Sequence, residues 1–387
     1  MQPCITGWGH TKFGALKEDR LEDLILAAAR EALDHAGITP KDVDGVWLGH
    51  FNSGMVPDGF ASSLVLGLDD DMRFIPATRC ENACASGSAA IYSALNAIRA
   101  GEAKIALVVG VEKMTELDTA GVTKALAGAS YQKEESGVSF PQIFGRVAAG
   151  YFQNFGDQSE TLARIAVKNH ANALSNPLAH MQKNVSFDFA NTVSNKNPMI
   201  AAPLRMTDCS LITDGAAALV IVAPELAAEF PQAVTFRAAR QVNDIMPMSR
   251  RDMTELTGPR VAFERAYADA GVSVADIGFA EVHDCFTIAE LMIYEAMGLK
   301  PKGKGAEAVK EGTVMKGGKL PVNLSGGLKA KGHPVGATGV SMHALAFRQL
   351  TNQAGDLQVP GAELGLLFNM GGSAVANYVS VLEVRKV

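Results

Sequence analysis

The chain has 387 residues and a mass of 40.8 kDa, with a formal charge of −6 from 35 Lys and Arg against 41 Asp and Glu. So mild an acidic balance argues against a nucleic-acid binder, which needs a dense basic face, and 48% hydrophobic with 20% charged residues excludes a disordered chain. The length suggests about two domains, no apolar run approaches the roughly 18 residues of a membrane span, and the 5 cysteines fit a reduced chain better than a disulfide framework.

Apolar residues at helical spacing run from Leu21 to Ala36, and Gly37 supplies the stop. Pro40-Lys41-Asp42 marks a turn before a strand-like run at 43–48. A helix is predicted over about 85–100 and an apolar strand over 105–111, with another at 216–222. Short branched runs flanked by helices read as buried parallel strands. Between about 115 and 205 the composition turns polar, and Asn169, Asn172, Asn176, Asn184, Asn191, Asn195 and Asn197 crowd one stretch. That predicts an inserted cap rather than core. Residues 1–13 lack a basic segment followed by an apolar one, and Val384-Arg385-Lys386-Val387 is no peroxisomal address, so a cytoplasmic location is expected.

One pattern recurs. Ala36-Gly37 followed by Asp42-Val43 returns as Ala270-Gly271 followed by Asp276-Ile277, 234 positions on in both cases. Each site follows an Ala-rich helix and precedes a strand-like run. More weakly, Ala85-Ser86-Gly87 and Ala337-Thr338-Gly339 each open a helix that ends before a strand. The pattern predicts duplication: an α/β protein of two halves, with parallel strands in each and equivalent strand ends meeting at one cleft.

Four segments carry candidate chemistry. Cys84 lies among small residues at a predicted helix start, where unpaired N–H groups and the helix dipole favour thiolate; a small buried core thiol fits the segment equally well. His333 lies in Asn323-Leu324-Ser325-Gly326-Gly327-Leu328-Lys329-Ala330-Lys331-Gly332-His333-Pro334, a Gly-rich stretch that reads as an open loop presenting a side chain. A phosphate-binding P-loop is disfavoured, because Gly-Lys-Ser/Thr is absent. His283 and Cys285 follow a predicted strand directly and point the same way if that strand continues. Gly371-Gly372 after a buried strand suggests N–H groups facing the cleft, an oxyanion hole; an ordinary turn is the alternative. The Cys and His ligands are too scattered for usual metal spacings, so no metal site is expected. Cys4, Cys80 and Cys209 read as structural, and His10, His35, His50, His170, His180 and His343 as non-catalytic.

Taken together, these segments resemble the thiolase family, in its order and over nearly the whole chain. Gly110-Val111-Glu112-Lys113-Met114 and Thr213-Asp214-Gly215-Ala216-Ala217-Ala218 also look like family segments. Most thiolases carry Asn-Glu-Ala-Phe at the strand end and a Cys-x-Gly motif near the C-terminus. Here these are His283-Asp284-Cys285-Phe286 and Asn369-Met370-Gly371, which resembles the sterol-carrier-protein-linked subtype. The resemblance implies two βαβαβαββ halves, 1–235 and 236–387, in a five-layered α/β/α/β/α arrangement with a loop domain inserted at about 115–205. It implies an acyltransferase on coenzyme A thioesters, by Claisen condensation or thiolytic cleavage of 3-ketoacyl-CoA, with no cofactor. Cys84 would be the acylated nucleophile, His333 its hydrogen-bonding partner and Cys285 the acid/base. His283 and His333 would share one oxyanion site, and the N–H groups of Cys84 and Gly371 would form a second. The inserted segment would cover the coenzyme, with Lys168, His170, His180 and Lys183 as candidates for its phosphates. A homodimer or homotetramer is implied, and archaeal relatives add hydroxymethylglutaryl-CoA synthase and an acyl-CoA-binding protein as partners. Three alternatives remain: a ketosynthase using Cys84, His283 and His333, a thiolase-like aldolase, and a partner-dependent subunit.

Overall fold

The computed structural model describes residues 2–385; Met1, Lys386 and Val387, which carry part of the targeting expectation, lie outside the described residues. The first half runs through β1 (Cys4–His10), α1 (Leu21–Ala36), β2 (Gly45–Gly49), β3 (Ala77–Cys80), α2 (Ser86–Ala100) and β4 (Ile105–Glu112). An excursion carries α3 (Thr119–Ala127), α4 (Phe140–Phe155), α5 (Ser159–Ala173) and the ribbon β5 (Met199–Ala201) with β6 (Leu204–Arg205), before the chain returns as β7 (Gly215–Val222). The second half holds β8 (Val234–Asn243), α6 (Thr257–Ala270), β9 (Phe279–Val282), α7 (Thr287–Ala296), α8 (Thr338–Leu350), β10 (Leu364–Gly371) and β11 (Ala376–Val384).

The ends of α1 and α6 explain the recurring pattern. Gly37 and Gly271 close these helices at φ 72° and 63°, a left-handed cap that strains any residue with a Cβ. Asp42 and Asp276 then each accept the backbone N–H three residues back, from Thr39 at 2.8 Å and Ser273 at 2.7 Å. Each caps one 3-10 turn that feeds the next strand.

The strands lie in the order β3-β2-β4-β7-β1-β8-β11-β10-β9. β2 pairs parallel with β3 and β4, and β9 pairs parallel with β10. Val322 makes a parallel bridge to Ala280, in the place that β3 holds beside β2. The two halves therefore repeat one topology. They are mixed rather than wholly parallel, since β7 and β11 run antiparallel to β4 and β10. A strand such as β11, which follows β10 through a tight turn, has no room for the crossover that parallel pairing needs.

Alternation along the strands sorts the layers. In the first half, Leu107 and Val109 of β4 and Ala218 and Val220 of β7 face α1. Their neighbours Ala106, Val108, Leu219 and Ile221 face α2 and α8. That inner cluster also takes Phe279, Leu367 and Leu382 from the second half, so α2 and α8 lie between the half-sheets. On the far side, Ala280, Leu366, Val379 and Val381 pack on α6 and α7. The result is the five-layered α/β/α/β/α arrangement. The half-sheets meet where Cys4 and Ile5 of β1 pair with Thr235 and Val234 of β8.

Two expectations need correction. The Gly-rich segment around His333 is not open: residues 320–347 are buried throughout. Its glycines serve close approach, for a Cβ on Gly327 would lie 2.2 Å from Asp284 Oδ2 and one on Gly336 would lie 2.3 Å from the Val111 carbonyl. Nor is the polar stretch merely a solvated cap. Asn169, Asn172, Asn176 and Asn197 are buried. Asn172 and Asn176 donate to the carbonyls of Asn323 (3.0 Å) and Ser325 (2.8 Å), clamping the excursion onto the segment that leads to His333.

Candidate active site

Cys84 stands two residues before α2, where Ala83 at φ 50° turns the chain into the helix. β9 ends at Val282, so His283 and Cys285 leave it on a turn rather than on a continued strand, correcting the alternation that was expected of them. His333 precedes Pro334 at the approach to α8. These elements converge: Cys84 Sγ and one nitrogen each of His283 and His333 lie within 4.8 Å of one another. The two imidazoles meet edge to face, centroids 5.1 Å apart. Cys285 joins Cys84, His333 and Gly372 in the wall of a cavity of about 290 Å³, whose other walls include Val122 and Leu126 of α3 and Phe140 of α4.

Burial decides the protonation states. It pushes the Cys84 thiol up to about 12, although the Gly372 N–H donates to the sulfur and pulls the other way; the negative Glu112 nearby adds to the rise. The thiolate expected from the helix start is thus not the resting form, because desolvation outweighs the N–H groups that face the sulfur. Burial, reinforced by Cys84, also raises Cys285 well above the usual thiol range. His333 falls to about 3 through burial and the Lys331 ammonium, and His283 falls well below its ordinary value through burial and His333. The site at rest holds neutral thiols and neutral imidazoles. His333 Nε2 is buried with no hydrogen-bond partner.

Several sequence assignments shift. Next to Gly371, the Gly372 N–H donates to the Cys84 sulfur. Gly371 itself lets the strand end press on the first half, since a Cβ there would lie 2.1 Å from the Asn82 carbonyl. Lys168 is buried and paired with Glu290 at 2.7 Å, and His170 is buried with Nδ1 3.1 Å from the Lys183 carbonyl, so neither is free to meet a phosphate. His180 is held on Thr213 Oγ1 at 3.1 Å, and Lys183 is exposed. Cys209, read as structural, lines the cavity with Cys84 and Cys285.

Some contributors were not assigned a role from the sequence. Asn369 reaches the Cys84 carbonyl (3.1 Å) and His283 Nδ1 (3.0 Å), and Thr338 Oγ1 lies 2.7 Å from His333 Nδ1. Asp284, between His283 and Cys285, accepts the N–H of Leu328 at 2.7 Å and the Asn169 amide at 2.7 Å, tying that stretch to the His333 segment and to α5. Asn369 stands at the motif position where a Cys was expected, and that mismatch was the available signal.

Residues 4–225 match the family model "Thiolase, N-terminal domain" and residues 239–384 match "Thiolase C-terminal domain-like". An acetyl-CoA acetyltransferase of Methanothermobacter thermautotrophicus is 37% identical over 375 residues, 96% of each chain. Sterol carrier protein 2 of Homo sapiens is 32% identical, covering 96% of this chain and 70% of its own length. Among solved structures, the Ltp2-ChsH2(DUF35) aldolase superposes with a TM-score of 0.83 at 23% identity, over 100% of this chain and 99% of that one, which speaks for the fold alone. Frame, family models and full-length relatives agree: the chain belongs to the thiolase family and is an acyltransferase with thiolase activity on coenzyme A thioesters.

Proposed function

We propose that Cys84 is the acylated nucleophile, His333 its proton acceptor, His283 an oxyanion donor and Cys285 the acid/base for carbon. The observation that carries this reading is the convergence of Cys84 with both imidazoles within 4.8 Å, with Cys285 on the wall of the same cavity. In cleavage, His333 Nε2 takes the Cys84 proton as the sulfur attacks the 3-keto carbon. The C2–C3 bond breaks, and the departing acetyl-CoA enolate takes the Cys285 proton at carbon 2. Free coenzyme A then attacks the acyl-cysteine. Its thiol proton goes to Cys285, and Cys84 recovers its own from His333. Condensation runs the same steps backward. The neutral Cys285 at rest suits the cleavage direction. The thiol and two imidazoles also offer metal donors, but a second thiol on the wall of the same cavity gives them a proton partner, and we read the trio as catalytic, with no resident cofactor.

Intact-mass measurement tests the roles. Cys84→Ala should form no acyl-enzyme, whereas Cys285→Ala should trap acyl on Cys84 and fail to exchange α-protons of acetyl-CoA; the reverse result exchanges the two assignments. A ketosynthase would share the Cys84, His283 and His333 trio. Turnover of malonyl but not acetyl thioesters would favour it, and the second thiol speaks against it.

The wider setting belongs to the same proposal. Residues 1–235 and 236–387 act as the two halves, with about 115–205 as the loop domain covering the coenzyme and Lys183 the remaining phosphate candidate of that segment. A homodimer, or a tetramer of such dimers, is supported by β3, whose outer edge has no strand partner among the described residues and is flanked by Phe60 and Phe74, 88% and 91% exposed. No helix of the described residues is long and apolar enough to cross a membrane, and a cytoplasmic role in lipid metabolism is proposed. Partners such as hydroxymethylglutaryl-CoA synthase or an acyl-CoA-binding protein belong to this proposal.

A further inference from the structure

We propose that Asn369 is a positioning residue that locks His283 in the tautomer whose Nε2–H donates, leaving His333 as the imidazole free to alternate between acceptor and donor. The proposal rests on the reading of His283 as an oxyanion donor and explains what makes it one.

The argument follows from which atoms can only accept or only donate. The Cys84 carbonyl oxygen can only accept, so the Asn369 atom 3.1 Å from it is the amide nitrogen. Its Oδ1 then accepts the Ser88 hydroxyl at 2.8 Å, which holds the amide from the other end. The second amide hydrogen is directed at His283 Nδ1, 3.0 Å away. The backbone N–H of Met370 faces the same nitrogen at 3.4 Å. Two donors on one ring nitrogen require a lone pair there, which puts the proton of the neutral ring on Nε2. Asn369 is 2% exposed, so water has little access to undo the arrangement.

His333 is held differently. Its Nδ1 lies 2.7 Å from Thr338 Oγ1, a hydroxyl that also reaches the Pro334 carbonyl at 3.0 Å. When the hydroxyl donates to Pro334, it accepts from Nδ1–H and Nε2 is bare, ready for the Cys84 proton. When it donates to Nδ1 instead, Nε2 carries the hydrogen. A rotatable hydroxyl permits both states, whereas the Asn369 amide permits one. Two chemically identical imidazoles 5.1 Å apart thus receive different duties from their outer partners. At the position where most of the family has a thiol, the amide gives up proton transfer and fixes its neighbour.

Asn369→Asp is nearly isosteric and reverses the polarity at His283 Nδ1. In this variant α-proton exchange of acetyl-CoA should fall about 10²–10³-fold, the usual cost of one lost oxyanion donor, with acylation of Cys84 changed less than about tenfold. In a His283→Ala background the same substitution should cost less than about threefold, because a residue that acts through another loses its effect with that partner. Histidine ¹⁵N shifts should read Nδ1 of His283 as unprotonated in the native enzyme and protonated in Asn369→Asp. If Asn369→Asp does not fold, Asn369→Ser serves the same cycle. Equal costs in both backgrounds, or a proton on Nδ1 of native His283, would overturn the proposal alone. Unimpaired α-proton exchange in His283→Ala would instead remove the donor role of His283, and the lock with it.

Discussion

Val46 in β2 and Ala280 in β9 hold one register in the two halves: Val46 pairs with Ala77 and Leu107, and Ala280 with Val322 and Leu366. Counting on from them sets Gly49 against His283, His50 against Asp284 and Phe51 against Cys285. In the first half these places serve packing. A Cβ on Gly49 would lie 2.5 Å from the Gly87 Cα, His50 is buried 3.2 Å from Glu112, and Phe51 joins an apolar cluster. In the second half the same places hold the proposed oxyanion donor, the carboxylate that anchors the turn and the second thiol. The duplicated frame brings two rims to one cleft, and the chemistry divides unequally between them. One rim gives the proposed nucleophile before α2, and the other gives the groups proposed to serve it. Carboxylates stitch the rims together. Glu112 of the first half accepts the N–H of Gly336 in the second at 3.0 Å, as well as those of Phe51 and Asn52. The connections differ as well: β4 reaches β7 through three long helices, while β10 reaches β11 through a turn.

The most severe way to break this comparison is to give the second rim the residue of the first. His283→Gly should lower turnover of 3-ketoacyl-CoA by about 10²–10³, as the loss of one oxyanion donor does. Acyl transfer to Cys84 from a simple thioester should persist. Turnover within about threefold of the native enzyme, measured as release of acetyl-CoA, would show the second strand end to be as inert as the first.

Acid sharpens the contrast. Burial depresses His10 and His333 to about 3, His170 and His343 to about 4, and His283 well below its ordinary value. Below about pH 6.5 the unfolded chain binds these protons and the folded chain does not, so stability falls with pH, by up to about 1.4 kcal/mol per unit for each histidine. Two carboxylates oppose this. Asp284 is raised to about 7 by burial and by Glu290, and Glu281 is raised by burial, so the folded chain takes their protons first and gains stability as the pH drops. The histidines outnumber them, and the net slope is a loss from pH 6.5 downward. Both carboxylates lie on the second rim and offset its three histidines, so the loss is not confined to that rim. Urea midpoints should fall as the pH drops from 6.5 to 4; midpoints independent of pH over that range would contradict the assignment of neutral buried imidazoles.

What the sequence made legible follows from how local each cause is. The paired Ala-Gly and Asp-Val/Ile signals are caps made within a few residues, so they revealed the duplication directly. Cys84 and His333 stood out because reactive types in small or Gly-rich settings are unusual, and His283 and Cys285 because they follow a strand-like run directly. Protonation states were not legible, because the burial of Cys84 comes from separate segments, from Phe51 and Met114 to Val335, that meet only in the fold. The same reason hid the asparagines: Asn172 and Asn176 look like solvent-facing residues until their partners at Asn323 and Ser325 are seen. The direction of the glycines was misread around His333 because a buried close approach and an open loop favour the same residue.

The smallest effect probes what the halves still share. Gly37 and Gly271 end equivalent helices at positive φ, and a Cβ added at either would meet nothing within 4 Å. Any cost of Gly37→Ala or Gly271→Ala is therefore conformational, the strain of an L residue in the left-handed region, about 1 kcal/mol at each site. Being far apart and without common partners, the two should add within about 0.5 kcal/mol in the double variant. Neither should change kcat, since both caps lie away from the cavity. Urea midpoints on the two single variants and the double would read this. A large cost at one cap and none at the other would show that the two helix ends, despite their matching φ and matching Asp turns, are no longer doing the same work.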